Sequence, residues 1–121
     1  MSVVEQLEAG LPFAALGRFQ KASGLPLGTL AALLRIPPRT LVRRRAAGRL
    51  APEESERLLR VATVFEQAVA LFEGDVAVAR GWLTRPKKAF AGETPMHLAR
   101  TEIGAREVER LIGRLEHGVF S

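Results

Sequence analysis

The chain has 121 residues, with 18 lysines and arginines against 13 aspartates and glutamates, a hydrophobic content of 47% and no cysteine. A chain of this length forms one domain of ordinary size or two very small ones, which excludes a large α/β enzyme. Without cysteine there is no disulfide framework, thiolate zinc site or cysteine nucleophile. The net charge of +5 points to a polyanionic partner only if the positive charges are clustered.

No apolar segment of the sequence reaches the ~20 residues that a membrane-spanning helix needs. The first ten residues contain Glu5 and Glu8, where a signal peptide carries basic residues and then an apolar stretch. We therefore expect a cytoplasmic protein with no membrane partner.

Helical periodicity runs through almost the whole chain. Apolar residues recur at three- and four-residue steps, and no stretch alternates as a half-buried strand does, so the sequence predicts an all-α fold. Glycine and proline clusters separate the predicted helices, which cover about residues 12–22, 27–34, 38–47, 52–73, 75–83, 94–101 and 105–116. Residues 1–11 are predicted to be an N-terminal tail, residues 12–73 one helical region and residues 74–121 a second, smaller domain.

The strongest local signal is a run of six arginines, with no acidic residue, between residues 35 and 49. A short predicted helix, a tight turn and this basic helix match the helix–turn–helix arrangement, whose second helix enters the major groove of DNA. Arginine suits such a site because its planar fork holds a phosphate, or the O6 and N7 atoms of guanine, through two hydrogen bonds. The residues predicted to contact DNA are Arg39, Thr40, Arg43, Arg44, Arg45 and Arg49.

One position departs from the usual motif, because Arg35 stands where many such turns have glycine. A left-handed backbone at an arginine costs roughly 1–2 kcal/mol. The alternative interpretation is that the basic segment is only a solvated surface of a helical bundle. DNA contact is favoured because the arginines are concentrated on one predicted helix and we expect no acidic side chain to neutralise them.

The sequence has little that indicates catalysis. His97 and His117 lie on different predicted helices without a carboxylate at metal-ligand spacing, and there is no phosphate-binding glycine loop. Carboxylate pairs such as Glu53 with Glu54 fit helix surfaces better than a dry cleft. We expect neither an enzyme nor a cofactor or metal site.

The second half of the chain resembles a known family. The segments WLTRP (82–86), AFAGETPMHL (89–98), TEIGA (101–105) and the pattern of Val108 followed by LIGRLEHGV (111–119) occur in the order and spacing of the toxin-binding domain of MbcA/ParS/Xre antitoxins. Upstream, TLVRRR (40–45), GRL (48–50) and the following long helix are similar to that family's Xre-like helix–turn–helix region. The resemblance covers the chain from about Phe13 onward.

This resemblance implies a bacterial type II antitoxin with residues 12–73 as the DNA-binding and dimerisation region and residues 74–121 as the toxin-binding domain. The implied partners are a RES-domain toxin that degrades NAD+, whose active site the antitoxin covers, and operator DNA of their shared operon, which it represses. The residues expected to contact the toxin are Arg110, Arg114, Glu116, His117, Gly118, Val119, Phe120 and Ser121. A frayed tail or packing within the chain is the alternative for this end.

Two other functions fit the same residues. In the first, the chain is a stand-alone helix–turn–helix transcriptional regulator whose C-terminal domain mediates oligomerisation. In the second, it is an inhibitor that binds only protein and no longer binds DNA. The arginine cluster argues against the second of these.

The long helix that begins at Pro52 has more apolar residues than one narrow buried stripe requires. Helix–turn–helix proteins often bind DNA as dimers because two half-sites need two recognition helices. We expect a homodimer, and a larger toxin–antitoxin complex, with a dimer surface formed by Val61, Val64, Phe65, Val69 and Phe72.

Overall fold

The computed structural model describes residues 2–118, and within them the chain is helical, as predicted. The helices are α1 (Val3–Ala9), α2 (Ala14–Ser23), α3 (Leu27–Leu33), α4 (Pro38–Ala47), α5 (Pro52–Leu71), α6 (Val76–Leu83), a 3-10 helix (Lys88–Phe90), α7 (Pro95–Leu98) and α8 (Glu102–Glu116). The chain divides into two compact units between Leu59 and Arg60, inside α5. None of the helices in the described part of the chain is long and apolar enough to cross a membrane.

The division lies earlier than the boundary at residues 73 and 74 that the sequence predicts. Gly74 does mark a turn, with φ +91, and α5 ends just before it. A glycine turn shows only where a helix ends. The boundary between two compact units depends instead on which parts of the chain pack together. A helix of 20 residues is long enough for its first turns to serve one core and its later turns another.

The N-terminal unit is built around the side chains that face inward from its short helices. Its core consists of Leu16, Leu25, Leu30, Ala31, Leu33, Leu34, Ile36, Leu50 and Leu58. Ser55 on α5 is fully buried and accepts a hydrogen bond from the Leu11 N–H at 2.8 Å while donating to the Ala51 carbonyl. The segment before α2 is thereby attached to the start of α5.

Residues 3–9, predicted to belong to a tail, form α1. The Ser2 hydroxyl caps this helix by accepting the Glu5 N–H at 3.1 Å. The helix buries none of its residues, so its sequence lacks the apolar stripe from which an amphipathic helix is predicted. The following segment is also structured, since Leu50 N–H bonds to the Leu11 carbonyl at 2.9 Å and Pro12 forms an isolated antiparallel bridge with Arg49.

The C-terminal unit packs the later part of α5 with the helices that follow. Its buried apolar residues are Val61, Val64, Phe65, Ala68, Ala79, Leu83, Phe90, Met96, Ala99, Ala105, Val108 and Ile112. The caps follow the sequence signals, because Asp75 accepts the Val78 N–H at 3.1 Å and Thr94 accepts the His97 N–H at 3.1 Å. Such side-chain acceptors satisfy the free N–H groups at a helix start.

Helix α8 begins at Glu102, three residues before the predicted start, and Gly104 lies inside it rather than at a break. Thr101 caps the helix by accepting the Gly104 N–H at 3.0 Å. The glycine is needed for packing, because a Cβ at this position would overlap the Leu98 carbonyl oxygen. The glycine at this position therefore marks a close approach of two backbone segments and does not break the helix.

The surface that the sequence predicts for dimerisation is not exposed as expected. Val61, Val64 and Phe65 are buried in the core, and their exposed fractions are 0%, 0% and 3%. Val69 and Phe72 are half-buried, and the Phe72 ring lies against Trp82 with 6.1 Å between ring centroids. The apolar excess on α5 therefore serves the fold of a single chain. Homodimerisation itself stays a prediction, without the first three of these residues.

Candidate functional site

The turn between α3 and α4 has the backbone that a helix–turn–helix motif requires. Arg35 lies there with φ +56, in the left-handed region where many such turns have glycine. The Arg35 N–H bonds to the Ala32 carbonyl at 3.1 Å, and the Ile36 N–H bonds to the Ala31 carbonyl at 2.9 Å. These bonds, together with burial of Ile36, offset the roughly 1–2 kcal/mol cost of a left-handed arginine.

A second arginine supports this turn from a distance. Arg57 on α5 donates from Nη1 to the Leu34 carbonyl oxygen at 2.7 Å. That oxygen belongs to the end of α3, where helix carbonyls lack intrahelical partners and favour a cation. Nothing in the local sequence around the turn signals the contribution of Arg57, because the two residues are 23 positions apart.

The outward face of α4 combines two cations with two small apolar residues. Arg39, Val42, Arg43 and Ala46 are all exposed, whereas Leu41 is half-buried. The side chain of Arg43 is oriented by Thr40, because its Nη2 donates to the Thr40 hydroxyl at 3.2 Å. At about 100° per residue, these positions lie on one side of the helix. This side is available to a partner and is rich in donors.

Arg44 differs from its neighbours, because it forms an ion pair with Glu54 on α5. Its Nε lies 2.8 Å from the Glu54 Oε1, which also accepts the Ala51 N–H at 2.8 Å. The expectation that no acidic residue neutralises the cluster is therefore wrong for Arg44. The carboxylate lies outside the arginine segment in the sequence and reaches Arg44 only through the fold.

This pair affects both pKa values. The hydrogen bond to Glu54 raises the pKa of Arg44. Burial works to raise the pKa of Glu54, but the bonds from Arg44 and from the Ala51 N–H outweigh it, so the net pKa is below the usual value. Both groups are therefore charged at neutral pH, and the pair joins the arginine helix to the first turn of α5.

Two more of the predicted DNA-contacting arginines have partners within the chain. The Arg45 guanidinium lies over the Phe13 ring, 5.6 Å from its centroid, which is a cation–π geometry. Arg49 donates from Nη1 to the Gly10 carbonyl oxygen. Of the six predicted residues, the structure thus places Arg39, Thr40 and Arg43 together at the start of α4, and gives Arg44, Arg45 and Arg49 contacts within the chain.

Helix α8 presents the second candidate surface. Val108 and Ile112 are buried on its inner side, while Arg110 and Arg114 are exposed one turn apart on the outer side. Ile103 is on the same outer side, seven residues before Arg110, and is 76% exposed. Ile103 was not among the predicted site residues. Its spacing of seven residues from Arg110 and eleven from Arg114 is a signal that could have placed it with them.

The predicted toxin-contacting end is described only as far as residue 118. Glu116, His117 and Gly118 are exposed, and the His117 N–H bonds to the Gly113 carbonyl at 3.2 Å. Val119, Phe120 and Ser121, which were also predicted to contact the toxin, lie outside the described residues.

Residues 2–118 contain no group of three or more His, Asp or Glu side chains suited to a metal ion. His97 lies on the surface, with its Nε2 3.4 Å from the Glu93 Oε2 and 3.0 Å from the Arg100 Nη2. These contacts are local, within four residues in the sequence, and describe a helix surface.

Comparison with known proteins assigns both halves of the chain. Residues 2–62 match the antitoxin Xre-like helix–turn–helix domain, and residues 67–118 match the antitoxin Xre/MbcA/ParS C-terminal toxin-binding domain. The chain is 41% identical over 120 residues to an antitoxin Xre of Yersinia enterocolitica, covering 98% of this chain and 81% of that protein. It is 36% identical over 116 residues to an antitoxin Xre of Photorhabdus laumondii, covering 95% and 78% of the two chains.

A third relative, an antitoxin Xre of Pseudomonas putida, is 38% identical over 84 residues, which covers 69% of this chain and 52% of that protein. The two family models and the three relatives agree that the chain is an antitoxin with a helix–turn–helix domain and a C-terminal toxin-binding domain. The chain belongs to the Xre/MbcA/ParS antitoxin family.

Proposed function

We propose that this chain is a type II antitoxin that neutralises a RES-domain toxin, an enzyme that degrades NAD+, by covering the toxin's active site. The match of residues 67–118 to a toxin-binding domain carries the proposal. Helix α8 supports it with an exposed apolar residue, Ile103, on the same side of the helix as the exposed cations Arg110 and Arg114, which lie two and three turns further along. Guanidinium groups pair well with phosphate, so a cation from this face suits a site built for an anionic dinucleotide.

The same chain is proposed to repress its own operon by binding operator DNA. The match of residues 2–62 to an Xre-like helix–turn–helix domain supports this, as does the outward face of α4. Arg39 and Arg43 are exposed there, and the left-handed Arg35 provides the turn that separates two helices of such a motif.

Co-expression tests the toxin-binding part of the proposal. The neighbouring gene product is expressed alone and together with this chain, and cell growth and intracellular NAD+ are measured. We expect the neighbour alone to stop growth and deplete NAD+, and this chain to restore both. A neighbour that leaves growth and NAD+ unchanged contradicts the RES-toxin assignment and favours a stand-alone regulator.

DNA binding is tested on a duplex that covers the promoter of the chain's own operon. Changing both Arg39 and Arg43 to alanine should weaken binding and make the salt dependence shallower by up to about two in slope, since each phosphate contact contributes about 0.9. The matched control changes Arg85 and Arg106, both exposed and in the C-terminal unit, to alanine. If both double variants bind alike, net charge alone drives binding and α4 is not the DNA-binding helix.

A further inference from the structure

An exposed valine lies at the centre of the cationic face of α4. Val42 is 68% exposed, between Arg39 one turn before it and Ala46 one turn after it. Valine is a poorer helix former than alanine or leucine, and a valine in solvent adds nothing to the core. The core-facing position of this part of the helix is taken by Leu41, which is half-buried. The fold therefore gives no reason for an apolar side chain at position 42.

The chemistry of the major groove does give a reason for an apolar side chain at position 42. Among the base edges exposed there, the C5-methyl group of thymine is the apolar feature, and small aliphatic side chains contact it. The neighbouring Arg39 and Arg43 carry the planar forks that suit guanine O6 and N7 or a phosphate. Thr40 holds the Arg43 guanidinium at 3.2 Å, which reduces the freedom that this side chain loses on binding.

We propose that Val42 is a specificity-determining residue that reads the methyl group of a thymine in each half-site of the operator. This inference rests on the proposed function, in which α4 enters the major groove.

The charge of the surrounding surface favours DNA as the occupant of this face. Arg39 and Arg43 are exposed on the same side of α4 as Val42, and α4 carries no carboxylate. Glu54 on α5 forms an ion pair with Arg44, which points away from the outward face, and Glu53 also acts electrostatically on Arg44. A cationic rim around a small apolar centre is complementary to a polyanion that offers a methyl group at the floor of its groove.

The experiment removes the methyl group from each side of the contact. Fluorescence anisotropy measures binding of the purified full chain to a duplex from its own promoter, in which each thymine is replaced singly by uracil, the same base without the methyl. For the wild type, one position in each half-site should lose about fourfold in affinity, the ratio that corresponds to ~0.8 kcal/mol for one buried CH2-sized group.

The variant Val42→Ala should bind the thymine duplex about 16-fold more weakly, about fourfold for each of the two half-sites, and should no longer distinguish thymine from uracil at either position. Because position 42 is exposed, this substitution leaves the core intact, which circular dichroism verifies. The control Val78→Ala makes the same change at an exposed position of α6, where the valine is 47% exposed, and should behave as the wild type does.

The possible outcomes distinguish failure of the Val42 contact from failure of the proposed DNA-binding function. A wild type that binds every uracil duplex as well as the thymine duplex overturns the methyl contact, as does a Val42→Ala variant that keeps the discrimination. Operator binding that still depends on Arg39 and Arg43 would leave the DNA-binding function standing in either case. Wild-type binding no tighter to the promoter than to a scrambled duplex contradicts both.

Discussion

Gly104 lacks a Cβ, and this allows the start of α8 to pack closely against the end of α7. It lies in the first turn of α8, where a side chain would overlap the Leu98 carbonyl oxygen at the end of α7. Arg60 on α5 donates to two carbonyls that follow the same short helix, those of Ala99 at 3.2 Å and Arg100 at 2.7 Å. The backbone junction between α7 and α8 is therefore tightly packed and hydrogen-bonded.

We expect Gly104→Ala to lower the free energy of unfolding by about 1–3 kcal/mol, the usual cost of overpacking a close contact. Urea denaturation followed by circular dichroism measures this. Gly113→Ala on the same helix is the matched control, because apart from the adjacent residues and the backbone of its own helix nothing lies within 4 Å of the added Cβ. The control should stabilise by up to about 1 kcal/mol through helix propensity, and an equal effect of both substitutions would show that the contact is not limiting.

Glu54 makes the stability of the N-terminal unit depend on pH. Its pKa in the folded chain is lowered, so the unfolded chain takes up a proton at higher pH than the folded one. The stabilisation is therefore fully present above the ordinary glutamate pKa of about 4.3 and is lost as the pH falls through the lower folded value.

We expect Glu54→Gln to lower the free energy of unfolding at pH 7 by up to about 1 kcal/mol, because the neutral amide still accepts the Ala51 N–H but no longer pairs with the Arg44 cation. The difference from the wild type should shrink as the pH is lowered below about 4. Denaturation midpoints at several pH values measure it, with Glu66→Gln, exposed on the same helix, as control. A difference that stays constant down to pH 3 would contradict the ion pair as the cause.

At the scale of elements, α5 and α8 connect fold and function. α5 supplies Arg57 to the helix–turn–helix turn and Glu54 to the arginine helix, so the face that is proposed to bind DNA is supported by contacts from another helix. α8 is strongly two-sided, with Val108 and Ile112 inside and Ile103, Arg110 and Arg114 outside. Its outer side carries an exposed isoleucine and, two and three turns further along, two exposed arginines, and arginine is enriched at protein interfaces.

Replacing Ile103 by aspartate should weaken binding to the toxin by about 30-fold, the effect of losing a hot spot of ~2 kcal/mol. Arg110→Ala and Arg114→Ala should each reduce neutralisation as well. Titration calorimetry with the purified toxin and the growth assay measure these effects. Val78→Asp places the same charge at another exposed aliphatic position, on α6, and should leave binding unchanged. If all three α8 variants bind the toxin as the wild type does, the outer side of α8 is not the toxin-binding surface.

At the scale of the whole molecule, DNA and toxin are proposed to bind to different units of one chain. Arg39 and Arg43 belong to the N-terminal unit, and the outer side of α8 belongs to the C-terminal unit. Substitutions on α4 should therefore weaken operator binding while toxin neutralisation continues, and substitutions on α8 should weaken toxin neutralisation while operator binding continues.

Homodimerisation is the second prediction for the whole molecule. Two half-sites about one turn of DNA apart need two recognition helices, so we expect a dimer of the 13.2 kDa chain. Light scattering at micromolar concentrations, with and without the toxin, measures the mass. A monomer under both conditions would contradict the prediction. Burial of Val61, Val64 and Phe65 already excludes them as an exposed dimer surface.

The amino-acid sequence by itself determined the helical class, most helix positions and the helix–turn–helix turn. α4 begins and ends at the predicted residues, Pro38 and Ala47, and Arg35 adopts the left-handed backbone considered for it. These features depend on interactions within a few residues: apolar periodicity, caps and the missing N–H of proline. The motifs in the second half were also sufficient to identify the family.

Only the tertiary structure decided which cations face outward and which apolar residues are already buried. Arg44 meets Glu54, and Arg57 meets Leu34, over separations of ten and 23 residues. In the sequence, every apolar residue on α5 looks available to a partner, but Val61 and Val64 are fully buried in the folded chain. Helical periodicity reports which residues share a face, whereas long-range packing determines what that face touches, and this is the physical reason for the difference.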